Sequence, residues 1–276
     1  MSYLEVNHLS VSFGRRRVPA VSDVSFALEA DGRLGIIGQS GSGKSVTALA
    51  LIGLLPDDAH VGGSIVLNGR ELIGAPESEL RRLRGEEISM IFQEPMTALD
   101  PTMRVGRQVA EVVAVHHREE RGGNRARVLG WFDRVGIADP ERVAGSYPHE
   151  LSGGQRQRAL IAMALANQPG LVLCDEPTTA LDVIVQRHIL ELLDSQLSGK
   201  ATVFVSHDLA VIREVCDQVA VLLNGRLVEA GPIADVIAHP RHPYTQGLVA
   251  SARIAGVPQG EPLPTIADYF PGAAHG

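Results

Sequence analysis

The stretch that most constrains this chain is "RLGIIGQSGSGKSVTALALIGLLP", residues 33–56. An apolar run gives way to alternating glycine and serine, then a lysine, a serine and a long apolar segment. The run before the glycines reads as a strand and the segment after them as a helix. Gly38, Gly41 and Gly43 permit positive φ and let amide N–H groups approach a ligand closely. A helix opening at Lys44 adds unpaired N–H groups and the positive end of its dipole. Residues Gly38, Gln39, Ser40, Gly41, Ser42, Gly43, Lys44 and Ser45 fit G-x-x-x-x-G-K-[ST] in full. That is a concavity for phosphate, with Lys44 reaching the β- and γ-phosphates and the Ser45 hydroxyl ligating Mg²⁺. The loop binds a nucleotide, and the rest of the chain must say what the nucleotide is for.

Length and composition admit one large α/β domain or two small ones: 276 residues, 45% hydrophobic and 21% charged. Aromatic residues are only 4%, so aliphatic side chains must fill the core. A net charge of −7 argues against a general nucleic-acid binder, and the basic run at 14–17 reads as a solvated turn. Cys174 and Cys216 stand far apart in apolar surroundings and read as buried thiols rather than a disulfide. The N-terminus lacks a signal pattern, and no apolar run reaches the roughly 18–20 residues needed to span a bilayer. A soluble chain is expected, with any membrane role supplied by partners.

Along the chain, "YLEVNHLSVSF" and "AVSDVSFALEADG" alternate like strands. Asn68-Gly69 and Asn224-Gly225 signal hairpins. "EISMIFQ", "LVLCDE" and "ATVFVSHD" read as buried strands, with helices at "IVQRHILELLDSQL" and "LAVIREVCD". From Thr97 to Gln168 helical spacing prevails without a convincing strand, as in an inserted helical subdomain. Strands alternating with helices imply a largely parallel α/β core, with antiparallel strands added at the N-terminus. His116-His117 read as a polar helix face, His239 and His242 as structural residues in an extended segment, and the chain from Val257 as a loose tail.

Two further stretches carry chemistry. "LVLCDEP", residues 171–177, ends a strand in two adjacent carboxylates. Asp175 suits an Mg²⁺-linked role, and Glu176 suits polarising the water that attacks the γ-phosphate. "LSGGQRQR", residues 151–158, sets Ser152, Gly153 and Gly154 before a helix, a second N-terminal anion site on the same chain.

With the phosphate loop, "DEPTTALD" and "SHD", the 151–158 stretch resembles the signature of ATP-binding cassette (ABC) ATPases over about residues 3–238. The resemblance implies a P-loop NTPase (RecA-like) core, residues 1–96 and 169–238, with an N-terminal antiparallel β subdomain and an inserted helical subdomain, residues 97–168. Residues 239–276 form a short C-terminal extension. It also implies that Ser152, Gly153, Gly154 and Gln155 complete the ATP site of a second cassette, closed head to tail on the first. By the same resemblance Phe13 stacks on adenine, and Gln93 contacts Mg²⁺ or water and senses the membrane partner. Asp182 links the two sites, and His207 holds the γ-phosphate and orients Glu176.

"FQEPMTALDP" (92–101) and "HPRHPYTQGLVAS" (239–251) look like the ATPases of bacterial oligopeptide, dipeptide and nickel importers. That subfamily implies ATP and Mg²⁺ as ligands. It implies as partners two permease subunits, an identical or paralogous second ATPase and an extracytoplasmic binding protein, and it implies no nucleic acid. The chain would sit peripherally on the cytoplasmic face of the inner membrane. Many peptide-importer ATPases continue into a cysteine-bearing tail associated with an iron–sulfur cluster. Here the tail has no cysteine, so no cluster is expected. Peptides lead as substrate, with nickel or a metal chelate as the alternative. A soluble ABC ATPase acting on DNA or ribosomes would need coiled-coil insertions or a second cassette in the chain. A kinase or GTPase would leave "LSGGQ" and His207 unexplained.

Overall fold

The computed structural model describes residues 2–94, 98–116, 124–179, 181–252 and 266–270. By packing, the chain divides into two units, Met1–Ala75 with Ala201–Gly276, and Pro76–Lys200. The second is wider than the expected helical insertion and takes in two strands as well.

In the first unit, β1 (Leu4–Phe13), β2 (Val18–Leu28), β4 (Ala59–Leu67) and β5 (Arg70–Glu71) form an antiparallel sheet in the order β2-β1-β4-β5. Leu4, Val6, Leu9 and Val11 turn inward from β1. Alternation slips by one between Val6 and Leu9, where the register with β2 shifts and His8 adopts φ 53°. A bulge of this kind keeps both apolar pairs on the core face. Asn68 and Gly69 both take positive φ and turn the β4–β5 hairpin as expected.

The same unit holds β3 (Arg33–Ile37), β8 (Ala201–Ser206), β9 (Gln218–Leu223) and β10 (Arg226–Pro232). β3 runs parallel to β8 and β9, and β10 turns back antiparallel on β9 through Asn224-Gly225. β8 is buried along its whole length, as a parallel strand covered on both faces must be. The helix Leu209–Val215 packs on β3 so closely that a Cβ on Gly35 would lie 2.2 Å from Ile212 Cγ2.

In the second unit, β6 (Ile88–Ile91) pairs in parallel with β7 (Leu171–Asp175), both fully buried. Helices Val105–His116, Asn124–Arg134, Pro140–Gly145 and Gly153–Leu165 pack around Val109, Val113, Phe132 and Val143. Thr97 and the 95–96 stretch lie outside the described residues, as does His117.

Three readings are corrected. His116 is not on a solvated face: its side chain is nearly buried, and Nε2 lies 2.9 Å from the Arg84 carbonyl oxygen. His239 and His242 are not in an extended segment. His239 closes the helix Ile233–Ala238 with its N–H on Asp235 O, and His242 precedes the helix Pro243–Ala252. The tail is not loose throughout. Ile266–Tyr269 make a helical turn, and Phe270 lies 6.2 Å from Tyr244 between ring centres.

Candidate functional site

β3 ends at Ile37, and after six intervening residues a helix begins at Lys44 and runs to Leu51. Gly43 caps it in the left-handed region, φ 96°, and, as a glycine, offers no side-chain cap hydrogen bond. Gly41 has φ 77° and open space where a Cβ would stand. Gly38 departs from expectation, because its φ is not positive. It is required for close approach instead: a Cβ would lie 2.4 Å from both Leu222 O and Ser42 Oγ. Lys44 is buried, and its Nζ donates to the carbonyls of Gly38 (2.8 Å) and Gln39 (2.9 Å). The Ser42 hydroxyl is buried and finds no partner among the described residues. A helix start capped by glycine, an orphaned hydroxyl and an open glycine together fit a phosphate. The hairpin at Gly225 braces the loop, its N–H donating to Ser42 O at 3.0 Å.

Gly43→Ala tests this geometry. The new Cβ would sit 2.7 Å from the Ala20 carbonyl oxygen and force a side chain into left-handed φ. The expected outcome is a loss of about 1–3 kcal/mol of stability in chemical denaturation, with nucleotide binding weakened at least about tenfold in titration.

In the other unit, β7 delivers Asp175 nearly buried at its last position. Glu176 then takes φ 44°, a conformation that costs a non-glycine residue roughly 1–2 kcal/mol. The kink turns the chain directly after Asp175. Glu176 Oε2 accepts from Thr179 Oγ1 at 2.9 Å and from Gln93 Nε2 at 3.3 Å. Gln93, 83 positions away in sequence, is brought there from the end of β6. Sequence reasoning misses Thr179 as a site residue, although it lies in "DEPTTALD"; a hydroxyl three residues past the strand-ending glutamate is the signal for it.

Ser152 caps the helix Gly153–Leu165. Its Oγ accepts from Gln155 N at 3.3 Å, and Gln155 Oε1 accepts from Ser152 N at 3.1 Å. A hydroxyl that accepts in a cap retains its proton for a phosphate oxygen. Gly154 lies close to Val185, which a Cβ would approach to 3.2 Å. Asp182 caps the helix Val183–Gln196 by accepting from Val185 N at 3.0 Å, with Val183 and Ile184 strongly exposed beside it. Ala180 lies outside the described residues. In the first unit, His207 is exposed directly after β8, and Phe13 is half-buried at the end of β1, paired with Val18 and Ala59.

Residues 21–179 match the ABC transporter family profile. The chain belongs to the ABC transporter family. A second profile, the oligopeptide/dipeptide transporter C-terminal region, matches residues 228–274 of this cassette. Among relatives, the oligopeptide transport ATP-binding protein OppD of Salmonella typhimurium is 47% identical over 250 residues, covering 89% of this chain and 75% of its own. OppD of Haemophilus influenzae is 44% identical over 277 residues, covering 99% and 85%. Among solved structures, the ATP-binding cassette MJ0796 in a dimeric post-hydrolysis state bound to ADP and Pi superposes with a TM-score of 0.74. It is 28% identical, covering 83% of this chain and 98% of its own. The cassette therefore has a P-loop NTPase core with an N-terminal β subdomain and helical insertions, and it is an ABC-type ATPase. Use of ATP with Mg²⁺ follows from membership of the family.

Proposed function

We propose that this cassette is the ATP-hydrolysing subunit of a bacterial importer of dipeptides and oligopeptides, bound peripherally to the cytoplasmic face of the inner membrane. The observation that carries the substrate class is the match of residues 228–274 to the oligopeptide/dipeptide transporter C-terminal region, and the oligopeptide-transport names of the two relatives support it. Its partners are two permease subunits, a second cassette (a copy or a paralogue) and an extracytoplasmic binding protein, with no nucleic acid. The ATPase domain is residues 1–238, its core 1–96 and 169–238 interrupted by a helical subdomain, 97–168, and followed by the extension 239–276.

In this reading the amides of Gly38 to Ser45 cradle the phosphates, Lys44 counters their charge and Phe13 stacks on adenine. Ser45, Gln93 and Asp175 would hold Mg²⁺, an all-oxygen donor set suited to a hard cation. Bound there, Mg²⁺ would neutralise phosphate charge. Glu176 takes the proton of the attacking water, and the hydrogen bonds from Thr179 and Gln93 fix its carboxylate. His207 holds the γ-phosphate. Ser152, Gly153, Gly154 and Gln155 serve the ATP of the opposing cassette, and Asp182 couples the two.

Reconstitution with the permease and partner cassette in liposomes tests the whole. Because neither phosphate site of one chain works alone, the isolated chain should turn ATP over slowly and with a steep dependence on its concentration. The assembled complex should be accelerated by binding protein loaded with a short peptide. Full, concentration-independent turnover by a proven monomer would overturn the head-to-tail assembly. A binding protein stabilised in thermal shift by Ni²⁺ and by no peptide would overturn the substrate class.

A further inference from the structure

The C-terminal segment reaches the phosphate loop. Tyr244, fully buried on the helix Pro243–Ala252, accepts through its hydroxyl from the backbone N–H of Gln39 at 2.8 Å, across 205 positions of sequence. That N–H belongs to the same peptide unit as the Gly38 carbonyl, which accepts from Lys44 Nζ at 2.8 Å. A trans peptide is planar, with C=O and N–H pointing in opposite directions, so fixing one end fixes the other. Tyr244 holds one side of this unit and Lys44 the other.

We infer that Tyr244 is a positioning residue for the nucleotide: it sets the Gly38–Gln39 peptide, and through it the ammonium of Lys44 and the entry of the phosphate loop. The inference rests on the nucleotide reading of that loop.

The anchor is rigid on its own side. The Glu229 carboxylate on β10 accepts from the N–H groups of Arg241 (2.8 Å) and His242 (3.0 Å). Burial works upward on the Glu229 pKa, but the bond from His242 and then that from Arg241 help hold it below the usual value, so the clamp stays charged. His242 Nδ1 accepts from Tyr244 N at 3.2 Å, and Gln246 Nε2 closes the turn on Pro240 O at 3.1 Å. Phe270 meets the Tyr244 ring edge-on. Burial raises the Tyr244 phenol above its ordinary value, against a smaller pull downward from the Gln39 amide, so the oxygen remains neutral. A short strut thus runs from β10 through the 241–245 turn to the loop, all within one unit.

The test is Tyr244→Phe in the full chain, which keeps the ring and removes the acceptor. Three readouts are taken: Mg²⁺–ADP affinity by calorimetry, hydrogen exchange at the Gln39 amide without nucleotide, and KM against kcat in the reconstituted complex. Expected are ADP binding about 3- to 10-fold weaker, the scale of one neutral hydrogen bond, and Gln39 exchange at least about tenfold faster. KM for ATP should rise with kcat nearly unchanged. Faster exchange with unaltered affinity and KM would make Tyr244 a packing residue and overturn the inference. So would rapid Gln39 exchange in the wild-type chain, a result that needs no variant to fold. A wild-type chain that binds no ADP would instead remove the nucleotide site, and this inference with it.

Discussion

Glu176→Gln is expected to lower ATP turnover by about 10²–10⁴-fold, the range for loss of a general base. The substitution is close to isosteric, and glutamine meets the same backbone demand at φ 44°. Its carbonyl oxygen still accepts from Thr179, so the side chain stays in place while its basicity goes. ATP binding should survive because the phosphate contacts lie elsewhere, on the loop amides and Lys44. With hydrolysis blocked and binding intact, ATP should hold two cassettes closed. The variant should therefore run as an ATP-dependent dimer on size exclusion where the wild type does not. The comparison is turnover and dimer fraction beside wild type, with the partner cassette supplied. Near-normal turnover would remove Glu176 from the mechanism and make Asp175 or His207 the base to be tested next.

Lys44→Ala should fail at the opposite step. The buried ammonium donates to the carbonyls of Gly38 and Gln39, and in the proposed site it would meet the phosphate charge. Losing two charge-assisted hydrogen bonds from the ammonium to phosphate oxygens, at about 1.5 kcal/mol each, would weaken nucleotide binding about 10²-fold. Alanine suits the first turn of a helix, but it leaves the Gly38 and Gln39 carbonyls without their ammonium donor. The chain should therefore stay folded, with a melting temperature lowered by a few degrees. ATP should then produce no dimer at any concentration that dimerises Glu176→Gln. Tight ATP binding by Lys44→Ala would mean that the amides alone hold the phosphates. The two variants separate binding from hydrolysis, one forming a dimer it cannot open and the other never forming one.

The phosphate loop and the alternation of strand with helix were legible because both follow from local rules. A glycine-rich turn between a buried strand and a helix start is fixed by φ and by the direction of the backbone N–H groups, which neighbouring residues determine. The Asn-Gly hairpins are of the same kind: Asn224 and Gly225 adopt positive φ wherever the strands go. The adjacent carboxylates 175 and 176 were legible as an end of strand, though the left-handed kink at Glu176 was not. Sequence places an acid at that position, but surrounding structure must hold a glutamate in a conformation it disfavours.

What only tertiary structure decided are the contacts between distant positions. Gly38 is a glycine not for its φ but because Leu222 O and Ser42 Oγ leave no room for a Cβ. His116 on an apparently polar face is taken up by a carbonyl 32 residues earlier. Gln93 finds Glu176 because β6 and β7 pair in register, from Ile88 with Leu171 to Ile91 with Cys174. Tyr244, in a stretch whose sequence speaks only of family, reaches Gln39 because Glu229 and the 241–245 turn hold its ring against the loop. The local backbone chemistry that binds a phosphate is written residue by residue. Which buried side chain steadies that backbone is settled when packing brings together groups that no spacing rule relates.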